Sequence, residues 1–169
     1  RKLGIHLKSY AQALGELTKI YETIAIAGSH GKSTTTALLS LVLRNTRFDP
    51  TVIIGTKLKE FSHLRKSASN LRESAPSNFR KGKSDYLVLE ADEYQKSFLH
   101  YSPIAAIITN IDREHLDIYK TLNNIKKVFL KFIRNIRRIG ILVVNKDDKN
   151  LFGLREKIQK IAKKSQLKI

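Results

Sequence analysis

The run Thr23-Ile24-Ala25-Ile26-Ala27-Gly28-Ser29-His30-Gly31-Lys32-Ser33-Thr34 constrains this chain more than any other stretch, because an apolar strand passes directly into a glycine-bearing turn. A helical pattern follows over Thr35 to Asn45, with Leu38, Leu39, Val42 and Leu43 as its expected apolar face. Strand, glycine loop and helix in that order build an anion cradle from successive backbone N–H groups and a helix N-terminus. Glycine is needed where the chain turns tightly against phosphate oxygens. Lys32 adds a compact positive charge, and the Ser33 hydroxyl falls where a Mg²⁺ ligand is needed. The usual spacing G-x-x-x-x-G-K-[ST] would put glycine at position 26, where this chain has Ile26, so the loop is a shortened variant. The expected nucleotide-binding residues are Gly28, Ser29, His30, Gly31, Lys32, Ser33 and Thr34, with His30 a loop residue and not a base.

The rest of the chain alternates strands and helices. Ser9 and Gln12 have capping-box spacing ahead of Leu14, Leu17 and Ile20, which predicts a helix near Ser9 to Lys19. Short strands are expected at Thr51 to Gly55, Tyr86 to Leu89, Ile104 to Ile108 and Ile141 to Val144. Leu122, Ile125, Val128, Phe129, Phe132, Ile133 and Ile136 mark one long amphipathic helix, and Leu151, Leu154, Ile158 and Ile161 a last one. Lys57 to Ser84 is polar and reads as an irregular excursion or mobile loop. The expected fold class is α/β: a mostly parallel, doubly wound sheet with helices on both faces and a ligand site beyond the carboxyl ends of its strands.

At 169 residues the chain is expected to form one domain, residues 1–169. With no cysteine, disulfides, thiol nucleophiles and Cys-based zinc sites are excluded. No apolar run approaches the roughly 20 residues of a membrane span, so the expectation is a cytoplasmic protein without a membrane partner. The chain starts at Arg1 and has no Met, which suggests a piece of a longer protein.

The net charge of +17 hides a reversal. From Asp85 to Tyr119 the acidic residues are Asp85, Glu90, Asp92, Glu93, Asp112, Glu114 and Asp117, against Lys96 and Arg113 alone. Glu90 ends an apolar strand and is well placed to bind a nucleotide's Mg²⁺; the alternative is that Glu90, Asp92 and Glu93 form an ordinary polar turn. His115, among acidic neighbours beyond the third strand, is a further metal or catalytic candidate. The expected catalytic set is Lys32, Glu90 and His115, and the metal set Ser33, Glu90 and His115.

Together these residues resemble a known family. Ala27 to Thr36, Glu90-Ala91-Asp92-Glu93-Tyr94, Ser97-Phe98-Leu99, Thr109-Asn110-Ile111 and His115-Leu116-Asp117 look like the motifs of the central ATPase domain of the Mur ligases. The resemblance implies a P-loop-type fold and ATP and Mg²⁺ as cofactors. It also implies an acid–amino-acid ligase that joins L-alanine to UDP-N-acetylmuramate through an acyl phosphate, in peptidoglycan precursor synthesis. On its motifs, Lys32 would neutralise phosphate charge, Ser33 and Glu90 would hold one Mg²⁺, and His115 would help hold a second. Ser29 and Ser33 stand where the family often has Thr, Glu114 stands where Asp is usual, and the carbamylated lysine of some relatives has no match here. The family uses three domains, so the resemblance implies missing flanking domains and an isolated piece without ligase activity.

Two other readings remain at this point. A sister enzyme of the family would take a tripeptide or, in the folylpolyglutamate synthase-like case, glutamate as acceptor. A basic nucleic-acid-binding module is disfavoured, because Phe129 and Phe132 belong to a core face and leave little aromatic interleaving with the basic residues.

Overall fold

The sheet at the centre of the molecule is built around the strand Glu22–Ala27 (β1), whose last three residues have no exposed surface. The computed structural model describes residues 7–61 and 76–169. In chain order, helix α1 (Tyr10–Ile20) precedes β1, and α2 (Lys32–Arg44), β2 (Thr51–Leu58), β3 (Ser77–Arg80), β4 (Tyr86–Glu90) and β5 (Ala105–Ile108) follow. The chain ends with α3 (Leu116–Tyr119), α4 (Leu122–Arg134), β6 (Ile141–Val144), α5 (Lys149–Phe152) and α6 (Arg155–Ser165). The strand order is β3-β2-β4-β1-β5-β6, with every neighbouring pair parallel except the edge pair β2–β3. From β1 the chain passes over β4 to reach β2, returns to β4, and only then builds β5 and β6 on the other side. The carboxyl ends of β4, β1 and β5 therefore flank a topological switch point, where α/β sheets bind their ligands.

Alternation along the strands divides the apolar residues between two layers. Ala25, Ala27, Leu87, Leu89, Ala106, Ile108 and Leu142 face the core shared with α1, α4 and α6. Ile26, Val88, Val52 and Ile54 face the smaller core under α2. On the first side Phe98 stacks on Phe132 at 4.6 Å and meets Phe129 edge-on at 5.3 Å. Burying such a ring stabilises the fold by about 1.5–3 kcal/mol. The α1 capping box forms as the spacing requires: Ser9 Oγ accepts from Gln12 N–H at 3.2 Å, and Ser9 N–H donates to Gln12 Oε1 at 2.8 Å. Among the described residues no helix is long and apolar enough to cross a membrane.

Three sequence expectations are corrected. Helix α2 begins at Lys32, and its innermost residues are Thr36 and Ser40, while Leu38 and Val42 are 61% and 65% exposed. Small hydroxyl side chains let the helix lie close to the sheet. Each bonds a carbonyl one turn back, Thr36 Oγ1 to Lys32 O at 2.8 Å and Ser40 Oγ to Thr36 O at 2.6 Å, so no polar atom is stranded. The stretch from Lys57 is not irregular throughout: β2 continues to Leu58, Lys59–Phe61 forms a 3-10 turn that buries Phe61, and Ser77–Arg80 returns as an antiparallel edge strand. The rest of that excursion, 62–75, lies outside the described residues. The last helix is two, because the chain breaks at Gly153 and Leu154 between α5 and α6.

Candidate functional site

Glycine at position 28 is dictated by geometry: its φ is +143°, and a Cβ there would lie 2.0 Å from Thr109 Oγ1. The loop is pressed against the end of β5 and fastened to it by four bonds. Ser29 N–H donates to Asn110 O at 3.1 Å and His30 N–H to Asn110 Oδ1 at 2.8 Å. In return Thr109 Oγ1 and Asn110 Nδ2 donate to His30 O at 2.6 and 3.0 Å. Gly31, with φ +77°, is the N-cap of α2 and puts no side chain over the helix start. The amides of the first turn have no intrahelical acceptor, so the helix opens onto the site as an anion-binding end.

Lys32 folds back over this loop. Its ammonium donates to Gly28 O at 2.7 Å and Ser29 O at 3.2 Å, and lies 3.0 Å from Glu93 Oε2 and 3.3 Å from Oε1. Glu93 is 2% exposed. Burial pushes its carboxyl above the ordinary carboxylate range, against the pull of Lys32. His115 Nε2 stands 3.7 Å from Glu93 Oε1, and the ring packs edge-on against Tyr94 at 5.0 Å. The Tyr119 hydroxyl donates to Glu93 O, and burial pushes that phenol up to about 12, so it stays a neutral donor. One ligand atom each from Asp92, Glu93 and His115 lies within 4.8 Å of the others.

Beside this cluster, Ser33 Oγ donates to Glu90 Oε1 at 2.8 Å, and Glu90 Oε2 accepts from Gly55 N–H at 2.6 Å. A hydroxyl and a carboxylate side by side are hard oxygen donors of the type Mg²⁺ takes. Glu93 Oε2, buried in the adjoining cluster, accepts no hydrogen bond among the described residues and has the Lys32 ammonium 3.0 Å away as its cation. A cleft of about 400 Å³ opens on the far side of Glu90, lined by Tyr10, Asn78, Asp92, Ser97 and Tyr101 among others.

The predicted residues thus converge, in two linked groups. Ser33 meets Glu90 directly, and Lys32 meets His115 through Glu93. Ser29 is buried and its Oγ accepts from Asp112 N–H at 2.8 Å, while Thr34 is exposed at the first turn of α2. The exposed His30 ring lies between Asp112 and Glu114, with Nε2 3.5 Å from Asp112 Oδ2 and Nδ1 3.2 Å from Glu114 Oε1. Asp112 is held below the ordinary carboxylate range by the Arg113 N–H and then by His30. Four residues of the acidic stretch therefore fall in two clusters, Asp92 and Glu93 against His115 and Asp112 and Glu114 against His30, while Glu90 stands with Ser33. Sequence reasoning missed Glu93 as a site residue and Asn110 as the loop's clamp. Each had a signal: Glu93 follows Glu90 by three residues, and Asn110 ends a buried strand.

The chain resembles known proteins over nearly its whole length. It is 38% identical over 160 residues to the UDP-N-acetylmuramate--L-alanine ligase of Borrelia garinii subsp. bavariensis, covering 95% of this chain and 31% of that protein. It is 39% identical to the enzyme of the same name from Persephonella marina, with 95% and 32% coverage. It therefore spans about a third of the length of these curated relatives. Among solved structures, the Neisseria meningitides UDP-N-acetylmuramate:L-alanyl-gamma-D-glutamyl-meso-diaminopimelate ligase superposes with a TM-score of 0.72 at 29% identity, covering 92% of this chain and 49% of that one. The Mur ligase middle-domain model matches residues 26–168, from the end of β1 to beyond α6, and the chain accordingly belongs to the Mur ligase family.

Proposed function

We propose that this chain is the ATP-binding central part of a cytoplasmic ligase that adds L-alanine to UDP-N-acetylmuramate in peptidoglycan precursor synthesis. The observation that carries the reading is the convergence of Lys32, Ser33, Glu90 and His115 at three adjacent strand ends, around a clamped glycine loop. The relatives at 38% and 39% identity support the acceptor and the amino acid.

In this reading the first-turn amides of α2 hold the ATP phosphates. Lys32 turns from the Gly28 and Ser29 carbonyls to neutralise charge on the β and γ groups. Ser33 and Glu90 would hold Mg²⁺, with His115 beside a second ion; the metal supplies charge neutralisation between two anions that otherwise repel. The γ-phosphoryl passes to the lactyl carboxylate of UDP-N-acetylmuramate, with ADP leaving. The carboxylate, a poor electrophile, becomes an acyl phosphate with a good leaving group. The amine of L-alanine attacks its carbonyl, a tetrahedral intermediate collapses, and phosphate and the amide remain. The other two thirds of the relatives' length would supply the UDP-sugar and amino-acid contacts, so this chain alone binds ATP without making product.

The test is calorimetry with Mg·ATP on the chain and on Lys32→Ala. Binding by the first and not the second supports the reading. Binding of nucleic acid that falls steeply with salt and ignores Lys32→Ala would favour the basic-module alternative. A second reading of the amine substrate is supported by the Neisseria structure, whose name pairs UDP-N-acetylmuramate with the tripeptide L-alanyl-gamma-D-glutamyl-meso-diaminopimelate. A chimera carrying residues 7–169 in place of the matching part of the Persephonella marina enzyme, assayed with L-alanine, a tripeptide and glutamate, separates the two.

A further inference from the structure

We propose that Glu93 is the cation-exchange residue of this site: its carboxylate holds the Lys32 ammonium while the loop is free of phosphate, and takes a divalent cation with Asp92 and His115 once Lys32 has turned to a phosphate. The proposal rests on the nucleotide-binding reading above.

A carboxylate that is 2% exposed needs a partner, and Glu93 has one that is pledged elsewhere. The Lys32 ammonium is shared among Glu93 and the carbonyls of Gly28 and Ser29, the loop whose helix end faces the anion. A phosphate arriving at that end offers Lys32 a more highly charged partner. Once the ammonium leaves, Glu93 is an uncompensated buried charge. Removing one member of a buried pair is among the costlier events in a folded protein, so the carboxyl must take up either a proton or another cation, and the Asp92 and His115 ligand atoms beside it favour a divalent ion.

The surroundings suit a metal ion. Glu93 is flanked by Asp92 and His115: one ligand atom from each of the three lies within 4.8 Å of the others, and His115 Nε2 is 3.7 Å from Glu93 Oε1. The pocket does not depend on Lys32 for its shape. Glu93 O accepts from Lys96 N–H at 2.9 Å and from the Tyr119 hydroxyl, while Tyr94 backs the imidazole at 5.0 Å. His115 itself sits at φ +53°, a left-handed conformation uncommon for a non-glycine residue and held here at the start of α3. Nucleotide and cation would thus be coupled by exchange on one carboxylate, not by a separate conformational change.

Two measurements test this, using a nonhydrolysable ATP analogue and Mn²⁺ as the probes. The first is calorimetric affinity for the analogue in EDTA; the second is the number of Mn²⁺ ions bound per analogue-loaded chain, by electron paramagnetic resonance. Glu93→Gln should tighten metal-free binding by about tenfold, the order of one charge-assisted hydrogen bond that Lys32 no longer has to break. It should also lose one Mn²⁺. His115→Ala should lose the same ion. A merely structural role for Glu93 would not tighten metal-free binding while removing an ion. Unchanged or weaker metal-free binding by folded Glu93→Gln overturns the proposal, as does a wild-type Mn²⁺ count in His115→Ala, which decides the matter even if Glu93→Gln does not fold. Failure of the wild-type chain to bind the analogue overturns the nucleotide reading itself, a result distinct from either.

Discussion

Ser33 donates from Oγ to Glu90 Oε1 across 2.8 Å, joining the first turn of α2 to the last residue of β4. The same carboxylate reaches β2 through Gly55 N–H at 2.6 Å. Three elements that are far apart in sequence therefore set the position of one acidic group at the mouth of the phosphate loop. Replacing Glu90 by Gln keeps an oxygen for one donor and removes the charge. The expected cost to stability is about 1 kcal/mol, the worth of one hydrogen bond. The tightening of ATP-analogue binding by Mg²⁺ should shrink by about tenfold or more, the effect of losing one charged metal ligand. Calorimetry with and without Mg²⁺ reads this directly, and a full Mg²⁺ effect in Glu90→Gln would remove Glu90 from the metal set.

Lys32→Ala should abolish nucleotide binding, but it is not a silent change to the fold. The Lys32 side chain is 13% exposed and that of Glu93 2%, so truncation leaves a buried carboxylate without its cation. The expected loss is about 3 kcal/mol. Adding Glu93→Gln to Lys32→Ala should restore most of that loss in urea melts while leaving nucleotide binding absent. If the double variant is no more stable than Lys32→Ala, the pair is not what holds this corner.

Much of this arrangement was legible in the sequence because it is local. Thr23 to Thr34 contains its own strand, turn and helix start, and Ser9 with Gln12 announces its own cap. Glu90 was legible because a carboxylate at the end of an apolar strand has one place to go. What was not legible depends on neighbours distant in the chain. Thr36 and Ser40, and not Leu38 and Val42, face the sheet, because closeness of approach wins over hydrophobicity once the hydroxyls can bond back to their own helix. Ser77–Arg80 becomes a strand only because β2 offers it an edge. Glu93 looked like a turn residue because its burial is created by Lys32, His115 and Tyr119, which arrive from two other segments, the start of α2 and the short helix α3 with its N-cap.

Gly28 and Gly31 should respond differently to alanine. At Gly28 the new Cβ would meet Thr109 Oγ1 at 2.0 Å and Asn110 backbone atoms at 3.1 Å, on a φ of +143°. The loop must leave the end of β5, so nucleotide binding should be lost together with several kcal/mol of stability, on the order of a core overpacking plus backbone strain. At Gly31 the space is open within 4 Å and only the φ of +77° resists. The expected cost is about 1 kcal/mol, with the fold retained. Thermal melts of the two variants check the ranking, and equal losses would contradict it.

Asp49 gives a stability signature away from the site. The Arg80 guanidinium, first by hydrogen bonding and then by its charge, and the Lys83 N–H hold the Asp49 carboxyl below its ordinary value of 3.8. These contacts fasten the turn before β2 to the end of β3, since Arg80 also donates to Pro50 O at 2.9 Å. A carboxyl whose folded value is depressed contributes stability that is present above its unfolded value and lost as pH falls through the folded one. Asp49→Asn removes the charge while suiting the φ of +23° found there, so backbone strain does not confuse the comparison. Near neutral pH the variant should be less stable by about 1 kcal/mol, and the gap should narrow as the solution is taken below about pH 4. Urea midpoints measured across that range test the sign: a gap that stays constant or widens toward acid would mean that Arg80 does not stabilise the ionised form.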